Sequence, residues 1–296
     1  MTIYTHADSN IRKTWMLIFS FLIFIIGLGW VFSQVFQSPD ILFFAVIFSL
    51  VMNVFSFWYS DKIILTISRA KEIDHKENPE IYHLVENLCI TAGLPLPKIY
   101  LIPENQINAF ATGRDKNHAV IALTQGAFEK LDKTELEGVI SHELSHIGNK
   151  DMLLMTIVVV LVGFVSILSD FFMRSMWWGG LRRRDDREGQ AGSILAIIGI
   201  ILAILSPFIA LLIQLAISRK REFLADASGA LLTRFPEGLA NALAKIKVDN
   251  TPMKVASSAT AHLFISSPFK GKKLTNLFLT HPPIEERIKA LREMEI

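Results

Sequence analysis

The stretch Thr134–Met152, TELEGVISHELSHIGNKDM, decides how this chain is read. Within it stands His142-Glu143-Leu144-Ser145-His146, an H-E-x-x-H pattern. With 8 His and 28 acidic residues among 296, chance supplies about 0.02 such matches. Thr134 and Glu137 read as a capping box, and Leu136, Val139, Ile140 and Leu144 follow at helical spacing, so a helix is expected here. Residues four apart on a helix share a face, which lets both imidazoles reach one Zn²⁺. Glu143 then points roughly 100° away, where it addresses the attacking water as general base without binding the ion. The pattern is that of a zinc peptidase with one Zn²⁺ per chain.

A catalytic zinc needs a third protein ligand and an open position. No His follows between Gly148 and Met152. The segment Ser218–Asp226, SRKREFLAD, offers Glu222 and Asp226 four residues apart, on one helix face. Glu222 is expected to be the third ligand, and Asp226 to hold the far nitrogen of a ligating His. A lone cysteine, Cys89, excludes an intramolecular disulfide and a cysteine-cluster metal site.

Outward from these motifs the chain is strongly apolar, with 51% AVILMFWYC and only 20% charged residues. Four runs stand out: Trp15–Phe36, Ile41–Tyr59, Met152–Ser169 and Ile194–Ile217. Each is long enough to cross a bilayer core of about 30 Å. The first exceeds a signal-peptide core and reads as a retained anchor. Arg12 and Lys13 before the first run, Lys62, Arg69 and Lys71 after the second, and Arg219–Arg221 after the fourth place both termini and both polar blocks in the cytoplasm. The arginine-rich loop 171–193 opposes that orientation but is outvoted. A net charge of +2 gives no sign of a nucleic-acid partner, and none is expected.

The expected fold is mainly α with a small β-sheet. Four transmembrane helices would carry a cytoplasmic zincin-type (gluzincin-like) domain assembled from two segments. The divisions are 1–59 (tail and first two spans), 60–151 (protease segment with the H-E-x-x-H helix), 152–217 (membrane hairpin with its external loop 171–193) and 218–296 (protease segment with the third ligand). Lys98–Ile102 and Ala119–Leu123 read as strands, with Thr124 opening a helix. Between them Asn108, Ala109, Phe110, Ala111 and Thr112 form either an edge for an extended peptide or a plain loop.

Four motifs together resemble the HtpX family of bacterial membrane zinc proteases, relatives of the CAAX-prenyl endopeptidases. They are His142–His146 with Asn149 and Asp151, Arg221–Asp226 (REFLAD), Asn108–Gly113 (NAFATG) and Thr280–Ile288 (THPPIEERI). The resemblance implies an inner-membrane endopeptidase that removes misfolded or damaged membrane proteins in a stress response. It also implies that Asn108–Thr112 and the His281–Arg287 segment lie near the catalytic site. His281 or Arg287 is then a candidate to stabilise the developing oxyanion, with a packing role as the alternative. A processing protease for one membrane or lipidated substrate, and a non-catalytic zinc-stabilised scaffold or chaperone, stay open, as does homo-oligomerisation. The remaining histidines, His6, His75, His83, His118 and His262, read as structural or surface residues.

Overall fold

A computed structural model describes residues 3–76, 78–163, 219–255, 260–269 and 281–295. Helices α1 (Ile3–Phe36) and α2 (Pro39–Ile67) open the chain as an antiparallel pair. Ser38 and Pro39 break them apart, since proline at the first helical position begins a helix but cannot continue one. The pair packs closely: a Cβ on Gly29 would lie 2.2 Å from that of Ala45. Such small-residue contacts let membrane helices approach where no hydrophobic force drives them together. Both are long and apolar enough to cross a membrane. The outer face of α2 is apolar and bare, with Phe43 and Phe44 each 69% exposed. That face suits lipid rather than water. Helix α2 runs past residue 59 by about two turns, carrying Asp61 and Lys62 with it, so the expected block boundary at 59/60 falls inside a helix.

The polar block begins with strand β1 (Lys71–Glu72) and helix α3 (Pro79–Ala92). Strands β2 (Lys98–Ile102), β3 (Ala109–Thr112) and β4 (Val120–Thr124) complete a sheet of order β1-β2-β4-β3. The β2–β4 pair is parallel and the two outer pairs are antiparallel. Strand β3 is therefore an edge. The expected strand at Ala119–Leu123 is displaced by one residue. Thr124 ends it and caps helix α4 (Gln125–Lys130), its hydroxyl accepting from the Ala127 N–H.

Helix α5 (Lys133–Gly148) carries the H-E-x-x-H residues. Its capping box is formed by Asp132 and Glu135, not by Thr134 and Glu137. The sequence D-K-T-E-L-E contains both candidates in overlapping frames. The Asp132 carboxylate accepts the Glu135 N–H at 2.9 Å, while Glu135 reaches back to the Asp132 N–H at 2.8 Å. Lys245 closes on the buried Glu135 at 2.6 Å, which helps select that frame.

Asn149 ends α5, and Lys150 turns the chain at φ 56°. Helix α6 (Asp151–Gly163) leaves at 86°. Its described side chains are almost all buried, among them Leu154, Val158 and Leu161. This is the start of the third apolar run; the rest of that run, the loop 171–193 and the fourth run lie outside the described residues. Helices α7 (Arg219–Thr233), α8 (Pro236–Val248) and α9 (Ile284–Arg292) complete the described chain. One apolar core joins α3, α5, α7, α8, α9 and the sheet through Ile81, Val85, Ile140, Ala230, Leu243, Leu291 and Ile121.

Candidate metal centre and active site

The centre is built where α7 crosses α5. Gly229 permits the crossing: a Cβ there would meet the His142 backbone nitrogen at 3.0 Å. One and two turns before Gly229, Asp226 and Glu222 then face the H-E-x-x-H helix. His142, His146 and Glu222 each offer a donor atom, all within 4.8 Å of one another, and all three residues are buried.

The Nε2 atoms of His142 and His146 lie 3.2 Å apart. Glu222 Oε1 is 3.7 Å from His146 Nε2, and Oε2 is 4.0 Å from His142 Nε2. Tetrahedral zinc bonds of about 2.0–2.1 Å set donor atoms roughly 3.3 Å apart, so this triangle needs only slight closing around an ion. A carboxylate lies behind each imidazole. His142 Nδ1 is 2.9 Å from Asp226 Oδ1, and His146 Nδ1 is 3.1 Å from Asp151 Oδ2. A neutral imidazole donating from Nδ1 presents its Nε2 lone pair. Two such lone pairs facing each other beside a carboxylate call for a shared cation, so the donor set fits a divalent metal.

Burial pulls the His146 pKa down, yet the Asp151 hydrogen bond and the Glu222 charge overcome it and raise it to about 9. Burial also pushes on Glu222, but His281 and Arg287 hold it well below the usual carboxylate range. It is an anion at neutral pH. Burial lowers His142, against the pull of Asp226.

Glu143 is 1% exposed, and its Oε1 has no hydrogen-bond partner among the described residues. Burial raises its pKa to about 7, helped by the Glu222 charge and opposed by His146. The Ala111 N–H on β3 also faces this carboxylate. A carboxyl poised near neutrality is suited to accept and return a proton.

Arg287, fully buried, sits behind the centre. It donates from Nε and Nη2 to the two oxygens of Asp226 at 2.8 and 2.7 Å, and from Nη1 to Ile265 O at 2.8 Å. Burial acts on Asp226 too, but Arg287 outweighs it and sets the pKa to about 2. His281 Nδ1 lies 3.0 Å from Glu222 Oε2, while its buried Nε2 has no partner among the described residues.

On β3, Asn108 O accepts from Thr124 N at 3.0 Å, whereas Ala109 O accepts from Ile265 N at 2.9 Å on the opposite side. Alternate residues face opposite ways along a strand, so Ala111 O points outward with Ala109 O. The outer edge is thus already taken at Ala109. The Asn108 side chain is also engaged, donating to Gln106 Oε1 and to Ser266 O. Thr112 Oγ1 lies 3.0 Å from Thr156 Oγ1 on α6, and Phe110 packs edge-on against Phe264. His262 is buried with its Nε2 3.1 Å from Met155 O, well placed as a structural histidine.

Three participants escaped the sequence reading. Asp151 holds His146 only because Lys150 adopts a left-handed turn just past the helix end. Arg221 read as a basic membrane flank, yet it is buried with Nε 3.6 Å from Asp151 Oδ1. Asn10 carried no signal at all; its side chain donates to Asp151.

Residues 75–295 match the model of peptidase family M48. The chain belongs to that family. It is 47% identical to a protease HtpX homolog of Caldanaerobacter subterraneus, over all of this chain and 99% of the relative. A protease HtpX homolog of Thermococcus sibiricus is 45% identical over 92% of each chain. The solved structure of Ste24p from S. mikatae superposes with a TM-score of 0.52 at 18% identity, covering 97% of this chain and 67% of that one, a likeness of fold. This M48 peptidase is accordingly a membrane metalloendopeptidase, and its buried His-His-Glu cluster could hold a metal ion.

Proposed function

We propose that the metal is zinc, one per chain, held by His142, His146 and Glu222. The observation that carries this is the pair of facing Nε2 atoms at 3.2 Å, each imidazole backed by its own carboxylate. Bound there, zinc supplies Lewis acidity that polarises a scissile carbonyl and makes water acidic enough to attack at neutral pH. Glu143 takes the proton from the attacking water and returns it to the departing amide nitrogen.

His281 Nε2, buried with no partner among the described residues, is a donor available to a developing oxyanion. Arg287 donates to Asp226 and lies 3.6 Å from Glu222 Oε2, so it keeps both carboxylates, and through Asp226 His142, in place. The substrate backbone adds to the outer edge of β3 at Ala111, beyond the position that Ile265 occupies. Pairing through main-chain groups tolerates varied sequences, as a degradative enzyme requires.

The substrates are unfolded or damaged membrane proteins at the cytoplasmic face of the inner membrane, in quality control under stress. The basic residues that flank the apolar runs in the sequence, Arg12, Lys13, Lys62, Arg69, Lys71 and Arg219–Arg221, support this placement. Helices α1 and α2 anchor the protease beside the lipid surface where such segments emerge.

Casein hydrolysis in detergent tests the reading. The wild type with zinc is expected to cut at many sites, and Glu143→Gln to retain zinc while losing activity by roughly a hundredfold to ten-thousandfold. Full activity in Glu143→Gln would remove Glu143 as the base.

A further inference from the structure

One polar side chain connects the first membrane helix to the metal centre. Asn10 lies on α1, five residues before the first apolar run, and is 3% exposed. Its Nδ2 donates to Asp151 Oδ1 at 2.5 Å and to Asn149 O at 3.2 Å. Its Oδ1 accepts from Arg221 Nη1 at 3.4 Å. One turn on, the buried Thr14 hydroxyl donates to the Asn10 carbonyl at 2.9 Å. Asn10 therefore joins α1, the turn after α5 and the start of α7, all beneath His146.

The key partner is Asp151, which is fully buried and has two oxygens with different tasks. Oδ2 holds His146 Nδ1 at 3.1 Å. Oδ1 is held by Asn10, with Arg221 Nε further off at 3.6 Å. A carboxylate fixed at one oxygen cannot swing about its Cβ–Cγ bond, so the other oxygen keeps its place against the imidazole. The residue type suits that task. An amide donates a hydrogen bond without cancelling the carboxylate charge that makes the imidazole a strong ligand.

We propose that Asn10 is a positioning residue for the metal centre: by fixing Asp151 it fixes His146, so zinc retention depends on the first membrane helix being seated against the protease segments. The inference rests on the zinc reading above and extends it. The anchor helix is in this view part of the catalytic structure, and a peptidase with α1 displaced is a weak binder of its own metal.

The full chain in detergent, loaded with zinc, provides the test. The readouts are the rate of zinc loss to an excess of chelator, and kcat and KM on one peptide. Asn10→Ala is expected to lose zinc about tenfold faster and to lower kcat with KM unchanged. Asn10→Asp matches the native side chain in size, so it opens no cavity, but it turns a donor into a like charge beside Asp151. It is expected to lose zinc faster than Asn10→Ala. Ser33→Ala, buried on the same helix, serves as the control for helix packing and should match the wild type. Wild-type zinc retention in both Asn10 variants would overturn the proposal. So would equal losses in Ser33→Ala, or a milder effect of Asn10→Asp than of Asn10→Ala, since those patterns mark plain packing. A wild type that takes up no zinc would instead bring down the underlying reading, and the inference with it.

Discussion

Asp151 Oδ2 stands 3.1 Å from His146 Nδ1, although the residues are separated by a helix end and a left-handed turn at Lys150. On the other side of the centre Asp226 holds His142 at 2.9 Å from a different helix. Each histidine of the H-E-x-x-H helix thus has a dedicated carboxylate. Such partners fix the tautomer and raise the basicity of a ligating imidazole. Asp151→Asn and Asp226→Asn should each weaken zinc binding by about ten- to a hundredfold. Competition against a calibrated chelator measures this, and unchanged affinity in both would show the carboxylates to be incidental.

Glu222→Ala should lose the metal, because two imidazoles alone leave a zinc site under-coordinated. Elemental analysis of the purified variant reads the outcome directly. Stoichiometric zinc in Glu222→Ala would remove this residue from the ligand set.

Metal uptake should release a proton. In the ion-free chain His146 carries its proton up to about pH 9, since Asp151 and Glu222 outweigh burial. A ligating imidazole must be neutral. At pH 7 that proton leaves as zinc enters, so about one proton should be released per zinc, and affinity should climb about tenfold per pH unit below 9. Titration calorimetry in buffers of differing ionisation enthalpy counts the protons. No buffer dependence would refute the assignment.

Arg287 should matter for folding more than for turnover chemistry. Its guanidinium is buried on Asp226 with two hydrogen bonds. Arg287→Met leaves that carboxylate buried beside His142 alone, which is expected to cost about 3–5 kcal/mol. Urea denaturation of the detergent-solubilised protein reports the loss. A stability equal to wild type with activity abolished would make Arg287 a transition-state group instead.

What the sequence revealed and what it hid divide along physical lines. His142, Glu143 and His146 were legible because their relation is local: four residues on a helix share a face whatever surrounds them. Glu222 was found by chemical need, since zinc demands a third donor and a carboxylate stood at helical spacing from Asp226. The capping box was misplaced because D-K-T-E-L-E holds two overlapping frames, and only the distant Lys245 favours the one centred on Asp132. Asp151 was visible as a residue but not as a partner of His146. Its role depends on a single left-handed backbone angle at Lys150, a conformation a lysine adopts only when its surroundings impose it. Asn10 was beyond reach: its contact with Asp151 spans 141 residues, and no periodicity marks it. The occupation of the β3 edge by Ile265 was hidden for the same reason.

The most direct measurement is X-ray absorption at the zinc edge on the intact chain in detergent. Two imidazole nitrogens and one or two oxygens at about 2.0–2.1 Å are expected around a single ion. A spectrum carrying sulfur at about 2.3 Å, or one imidazole only, would mean that His142, His146 and Glu222 do not share a zinc ion.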